Sequence, residues 1–453
     1  MRLLNILVAL AVAAVLSAAG LQNGVSSGGT LEQARQDLES GKFDAAATEL
    51  STQVKLNPSS AEAHALLAFA EWRLGRPQEA VREYRAAIRL APQSFTPHYN
   101  LGLLYLQQHD RAAALPELEK AAQLEVRNAD AQYNCGVVLL DAGRGSEALV
   151  YLNRVRQIEP ERVDAQFQVV RAHLLLNRMA EAQQEATVFS SLHPEGMAPI
   201  GQAFLEAGHP DDAIPYLQKA MEANREDERI RGLLASSYLF QGRLLQRAND
   251  ARANDLLNRA IALEPSWFEP HYSLAVSRYL QQNYDAALLQ LKDAIQLNEH
   301  CARCLFLNGV IAFNRGDLAQ AKPLFDQAVD LEPENARFRT HRAALLFRSG
   351  STADAETDLR HAISMDPKYG LPHYELGKVL VRMARLPEAA REFETALRLD
   401  PALTQALYQL GQVDSKLGKQ REAAEAFEQF RKRREAQSDE QALRNDVPQA
   451  VIR

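Results

Sequence analysis

The chain has little of what small catalytic and metal centres are built from. It holds three cysteines and two tryptophans in 453 residues, and aromatic residues make up 7%. Only Cys301 and Cys304 lie close in sequence, and no second cysteine pair exists to complete a structural zinc site. Covalent haem attachment needs histidine directly after such a pair; here Leu305 follows and His300 precedes. There is no H-E-x-x-H, no P-loop and no nucleophile elbow. Gly143-Arg144-Gly145-Ser146-Glu147-Ala148 imitates a dinucleotide fingerprint, but that motif needs a preceding strand and none is expected here. Positive charge is not in excess: 51 Lys and Arg against 58 Asp and Glu leave a net charge of −7, whereas nucleic-acid binding favours a basic surface. No enzyme activity, cofactor, metal or nucleic-acid partner is expected.

Long apolar runs are also missing, except at the start. Arg2 precedes an almost wholly apolar stretch from Leu3 to Leu16, and Ser17-Ala18-Ala19 offers small residues for cleavage before Gly20. Residues 1–19 read as an export signal, or as an uncleaved anchor that attaches the chain to a membrane. Either way the rest is expected outside the cytoplasm, in the periplasm or secreted. Residues 20–30, rich in Gly and Ser, read as a flexible linker, and residues 434–453 as a polar tail.

What the chain does have is an alanine that returns every 34 residues. Ala46, Ala80, Ala114, Ala148 and Ala182 keep the interval, and after one disturbed stretch Ala253, Ala287, Ala321, Ala355, Ala389 and Ala423 keep it again. A fixed period of this size marks a solenoid. Within one interval, His98, Leu101, Gly102 and Tyr105 form one apolar stripe, and Ala114, Leu118, Ala121 and Leu124 form another. Steps of three and four residues put each stripe on a helix, and the short turn at His109-Asp110 makes the pair antiparallel. Prolines such as Pro58, Pro92, Pro160 and Pro333 close the unit, because the residue before proline is pushed out of the helical region. Gly75, Gly143, Gly316, Gly350 and Gly418 sit at the inner turn.

This pattern resembles the tetratricopeptide repeat family. The resemblance rests on the small residue of the first helix (Gly102, Gly136, Gly309, Gly377, Gly411), the alanine series, a second small position (Ala87, Ala121, Ala260, Ala294, Ala328, Ala362, Ala396) and the closing prolines. About twelve units fall between residues 31 and 433. The implied fold is all-α: a right-handed superhelical solenoid of helical hairpins. A first lobe of repeats would span residues 31–242 and a second 253–433. Residues 243–252 would form an insertion in an irregular repeat, either a lengthened hairpin or a local loop. The stretch from 195 to 255 is a candidate hinge.

The resemblance also implies a concave groove lined by the first helices, with the residue three before the small position pointing into it. That column reads Tyr99, Tyr133, Phe167, Tyr272, Phe306, Tyr374 and Tyr408, with Asn100 and Asn134 beside the first two. Tyrosine offers apolar contact with a hydroxyl handle at low entropy cost, which suits an extended peptide. Charged groove positions differ between the halves: Asp130, Asp141, Asp164 and Glu195 in the first, Arg303, Arg337, Arg348, Lys378, Arg382 and Lys416 in the second. Such a field would orient a charged partner.

Two further patterns need a reading. Cys301 and Cys304, three apart at a helix entry, could oxidise to a small-loop disulfide or stay as free thiols. His64, His98, His271 and His373 recur at one repeat position. Equivalent places in stacked hairpins are too far apart to share a metal at about 2 Å bonds, so packing with a hydrogen-bonded ring nitrogen is expected. The expected function is a non-enzymatic scaffold outside the cytoplasm that binds a protein or peptide ligand in its groove. Alternatives are an assembly factor of an envelope complex, serving polysaccharide secretion, outer-membrane assembly or cytochrome maturation, and a carbohydrate-binding groove.

If the alanines mark helix crossings, a larger side chain there overpacks the contact. Ala148→Leu and Ala355→Leu are each expected to cost about 1–3 kcal/mol, and unchanged unfolding of both variants would refute the assigned register.

Overall fold

In a computed structural model, residues 28–438 apart from Asn249 are described. Residues 1–19, read above as an export signal or anchor, most of the linker and the end of the tail lie outside the described residues. The linker expectation is corrected at its end, since the first helix already begins at Gly28. No helix among the described residues is long and apolar enough to cross a membrane.

The described chain is a succession of twelve helical hairpins with no strand. Two compact units divide at Ala220 and Met221, inside a helix, and so earlier than the lobe boundary read from the sequence. The first unit pairs α1 (Gly28–Glu39) with α2 (Phe43–Leu56), α3 (Ala61–Arg73) with α4 (Pro77–Leu90), and α5 (Phe95–Gln107) with α6 (Arg111–Leu124). It continues with α7 (Ala129–Asp141) and α8 (Gly145–Ile158), α9 (Val163–Leu175) and α10 (Met179–Leu192), and α11 (Met197–Glu206) with α12 (Pro210–Ala223). The second unit pairs α13 (Glu228–Arg247) with α14 (Arg252–Leu263), α15 (Phe268–Leu280) with α16 (Tyr284–Leu297), and α17 (Ala302–Asn314) with α18 (Leu318–Leu331). Its last pairs are α19 (Ala336–Arg348) and α20 (Thr352–Met365), α21 (Gly370–Arg382) and α22 (Leu386–Leu399), and α23 (Thr404–Lys416) and α24 (Gln420–Ser438).

Side-chain size sets how the two helices of a hairpin cross. The periodic alanines of the second helices, from Ala46 to Ala389, are almost all completely buried. The small residue of the first helix faces a bulky one of the second. A methyl group added at Gly102 would lie 2.7 Å from Leu118, one at Gly136 2.8 Å from Leu152, and one at Gly309 2.8 Å from Phe325. At Gly377 it would overlap Phe393 outright. The missing Cβ is therefore the space into which the Leu or Phe packs.

Eleven of the twelve hairpin turns follow one rule; the α13–α14 turn does not, its Ala248 having φ −83°. The residue five before the periodic alanine lies in the left-handed region. Gly75 has φ 75° and Gly350 φ 94°, but His109 (61°), Asn177 (54°), Gln282 (60°) and Ala384 (57°) adopt it as well. Glycine at this turn was legible in the sequence; Asn177 and His109 are of types that tolerate this backbone, whereas Gln282 and Ala384 are held there by the hairpin.

The disturbed stretch is not a loop. Helix α13 is 20 residues long where other first helices of this unit have 13, so the extra residues lengthen the helix by about two turns. The assigned insertion 243–252 is thus half helix, because α13 runs to Arg247. A 34-residue step from Gly201 falls on Ala235, but Gly242 takes the crossing position, with a methyl there 3.0 Å from Leu257. One hairpin earlier, the three residues of a 3-10 turn at Pro194–Gly196 lead into a shortened first helix, with Pro199 in the first turn of α11.

In both units successive first helices lie against one another, while successive second helices stand further apart. Each unit therefore curves toward its first helices, which form the inner rank.

Two substitutions in one hairpin should have opposite effects. Gly377→Ala must displace Phe393 and is expected to cost about 1–3 kcal/mol. Ala384→Gly relieves a left-handed non-glycine residue and should stabilise by about 1 kcal/mol. Chemical denaturation of both single variants checks the signs; destabilisation by both would contradict the turn assignment.

Candidate functional site

The aromatic column does not line an open groove. Tyr99 and Phe306 are almost completely buried, and Tyr133 and Tyr272 are buried as well. Phe167 and Tyr374 are half-buried, and only Tyr408, 41% exposed, stands open to solvent. The reason is the close spacing of the inner rank. Tyr99 stacks on Phe95 at 5.1 Å, and its hydroxyl accepts from Asn134 Nδ2, one repeat further on, at 3.0 Å. Phe306 stacks on Phe338 of the next first helix at 4.6 Å. Asn100 is fully enclosed beside the Tyr84 hydroxyl, and Asn134 is spent on Tyr99. These asparagines and most of the rings thus join hairpins, which corrects the expectation that they present themselves to a peptide. Burial also raises the phenols: Tyr99, Tyr133 and Tyr272 are shifted upward, and Tyr374 is pushed up to about 12.

What the inner rank exposes instead lies at the end of each first helix. The residue four after the crossing position is often a ring, and the residue one repeat and one position later reaches over it. Trp72 Nε1 donates to Gln107 Oε1 at 2.5 Å, and Asn314 Nδ2 donates to the Tyr279 hydroxyl at 3.1 Å. In the second unit the same register becomes cationic. Arg348 lies 4.6 Å over the Phe313 ring and donates to the Phe313 carbonyl at 3.4 Å. Arg382 lies 5.3 Å over Phe347 and donates to its carbonyl at 3.1 Å. Lys416 occupies the next equivalent place and is exposed. Beside them, the Lys378 ammonium sits 4.9 Å over Tyr374 and pairs with Glu375 at 2.6 Å. The sequence shows these cations 34 residues apart, but not the carbonyl and ring that hold them.

The expected contrast in charge holds only in part. In the first unit Asp130 and Asp164 each pair with Arg162 at 2.9 Å, and the Arg162 guanidinium lies 4.5 Å over Tyr133. Asp141 pairs with Arg111 at 3.0 Å. The side chain of Glu195 lies outside the description. The acidic side is thus largely neutralised where it stands. In the second unit Arg303 pairs with Glu269, as does Arg243. Arg348, Arg382 and Lys416 have no carboxylate partner among the described residues.

The remaining motifs resolve into structure. Cys301 and Cys304 form a disulfide, with Cys301 capping α17 through its sulfur at 3.2 Å from the Cys304 amide; both are buried. Cys135 is fully buried and its thiol is pushed up to about 12 by burial, so it behaves as a small apolar group. The recurring histidines each lock their own hairpin. Nδ1 faces Glu83 at His64 and Glu117 at His98, both at 2.6 Å, Gln290 at His271 at 3.1 Å, and Glu392 at His373 at 2.7 Å. At His64, His98 and His271 the other nitrogen faces the carbonyl of the proline six residues before. The Gly143–Ala148 stretch is the end of the α7–α8 turn and the first turn of α8, with a helix rather than a strand before it.

Repeated hairpins with small crossing residues and an inner rank of first helices define a helical-repeat scaffold. The tetratricopeptide repeat profile matches residues 31–95, 99–161, 199–251, 306–369 and 374–429, and a second profile of the same description matches 139–187. These stretches cover well over half of the chain, which belongs to the tetratricopeptide repeat family. A search of the curated proteins returns no match. Among solved structures the chain is similar to "Crystal structure of APC/C hetero-tetramer Cut9-Hcn1", at 12% identity and a TM-score of 0.41, covering 98% of each chain. It is also similar to "Crystal structure of YrrB: a TPR protein with an unusual peptide-binding site", at 20% identity and 0.36, covering 40% of this chain and 95% of that one. "Crystal structure of MamA protein" follows at 21% and 0.34, covering 37% and 91%.

One buried group sets a pH dependence. His341 is packed edge-on against Phe306 at 5.1 Å, and burial, with Arg337 adding to it, lowers its pKa to about 4. The unfolded chain binds this proton near pH 6.5 and the folded chain does not. Stability is therefore complete above about pH 6.5 and falls as pH drops toward about 4, by roughly 3 kcal/mol in all. Denaturation midpoints across that window should show the fall, and His341→Phe should flatten it; an unchanged slope in the variant would contradict the assignment.

Proposed function

We propose that the chain is a non-enzymatic scaffold that holds an extended segment of a protein partner along the inner rank of its second unit. The observation that carries this reading is the row of exposed cations, Arg348 and Arg382 anchored on the half-buried rings and the backbone carbonyls of Phe313 and Phe347, continued by Lys416. Anchoring fixes side chains that would otherwise lose entropy on binding, so a ligand meets a preformed surface. Repeat proteins use such extended inner surfaces for recognition. The buried rings of the first unit supply the rigid backing rather than the contact, and the reading therefore moves the site from Tyr99 and Tyr133 to the second unit.

The scaffold would act outside the cytoplasm. The apolar stretch Leu3–Leu16 supports export. So does the Cys301–Cys304 disulfide, because disulfides persist in oxidising compartments. An envelope assembly role is one specific form of this reading.

Photo-crosslinking tests it. A crosslinkable residue at Gln412, exposed on first helix α23, should capture a partner protein from the envelope fraction. The same residue at Gln327, exposed on second helix α18, should not. Capture only from Gln327, or equal capture from both, would refute an inner-rank site. Capture of glycan alone would favour the carbohydrate reading.

A further inference from the structure

We propose that the stripe Arg348, Arg382 and Lys416 recognises an acidic polypeptide segment in extended conformation, with a carboxylate at about every third residue. This rests on the scaffold reading above and names the chemistry of its partner.

Three observations carry it. First, the cations occupy one register of three consecutive first helices, α19, α21 and α23, at intervals of 34 residues. The stripe begins abruptly, because the equivalent residue of α17 is the neutral Asn314, whose amide is spent on Tyr279. Second, these three have no carboxylate partner among the described residues, while other basic side chains of the same unit are paired. Arg342 binds Asp358 bidentately at 2.7 Å, and Arg385 binds Glu356 and Glu388 at 2.7 and 2.6 Å. Third, both arginines are oriented from behind. A guanidinium has five donors in a planar fork, and Arg348 and Arg382 each use one NH1 bond on the carbonyl below and their face on the ring. The rest of the fork remains available to an outside acceptor, and a carboxylate meets it in two parallel bonds.

Spacing then selects the ligand. Packed helices stand 8–10 Å apart, so neighbouring cations of the stripe lie about 10 Å from one another. An extended peptide advances about 3.3 Å per residue, so three residues bridge one step. Acid at every third position meets the stripe in register, whereas a contiguous acidic run places most of its charge between the cations. The chain's net charge of −7 makes it a poor general polyanion binder, so attraction is confined to this stripe.

The test uses the full chain and three fluorescent 12-residue probes read by anisotropy. One carries Glu at every third position with Ser and Ala between. The second has the same composition with its four Glu contiguous. The third is a single-stranded oligonucleotide of similar length. The periodic peptide is expected to bind at least tenfold more tightly than the contiguous one. The triple variant Arg348→Gln, Arg382→Gln, Lys416→Gln should lose that advantage. Substituting the exposed Lys55, Arg82 and Arg89 of the first unit by Gln should leave it intact, whereas R348K/R382K, which keeps the charge but loses the fork, should reduce it. Equal binding of the two peptides, or an advantage that survives the triple variant, would overturn the proposal, and so would tighter binding of the oligonucleotide. Crosslinking at Gln412 separates the two levels. Partner capture there without discrimination between the peptides would leave the scaffold reading standing and remove only the acidic periodicity.

Discussion

A missing Cβ on one helix and a large side chain on its partner hold each hairpin of this chain together. At Gly102, Gly136, Gly309, Gly377 and Gly411 the second helix presents Leu or Phe into the space a methyl would fill. A lone hairpin cannot bury its apolar stripe; stacking converts a row of such contacts into a continuous core. The cores formed are long and thin, as in the set running from Ala34 to Ala172 in the first unit. The same requirement explains α13. When extra residues enter the first helix, the hairpin keeps its contact by moving it two turns along, from Ala235 to Gly242, rather than by extruding a loop.

Tight crossing has a cost in surface. With the first helices drawn together, side chains that would face a groove in a more open stack are closed over by the next repeat. Tyr99 reaches Asn134, and Phe306 reaches Phe338. The last residues of the first helices are among those that escape, and there the second unit places its anchored cations. Buried rings such as Tyr99 and Phe306 fix the hairpins, and in the second unit the half-buried Phe313 and Phe347 orient the guanidinium groups above them; in the proposed function one arrangement serves both rigidity and recognition.

The sequence carried most of the fold because it carried the period. The alanines, the small crossing residues and the closing prolines are local signals repeated many times, and their register survives in every regular hairpin. The left-handed turn residues Gln282 and Ala384 were illegible because their own chemistry does not favour that backbone, whereas His109 and Asn177 belong to types that tolerate it. The shift of the crossing to Gly242 was hidden because length alone does not tell a longer helix from a loop. The candidate site was half legible. The cations at 348, 382 and 416 were legible as groove charges of the second half, but their shared place at the ends of first helices was not. Which aromatic residues face solvent did not, since burial at Tyr99 or Phe306 depends on a side chain 32 to 35 positions away. The pairing of Asp130 and Asp164 with Arg162 was likewise a tertiary fact, and it removed the acidic half of the expected field.

The central claim is that the crossing contact, and not helix propensity or surface charge, sets the stability of each hairpin. A double-mutant cycle on Gly377 and Phe393 tests it most directly. If Phe393 fills the space left by the glycine, Phe393→Leu frees room for the new methyl, and the double variant Gly377→Ala with Phe393→Leu should be more stable than the two single losses add up to. A coupling of about 1 kcal/mol or more in that sense is the expected result. Strict additivity of the two substitutions would show that they do not share a contact, and the account of the hairpin would fail with it.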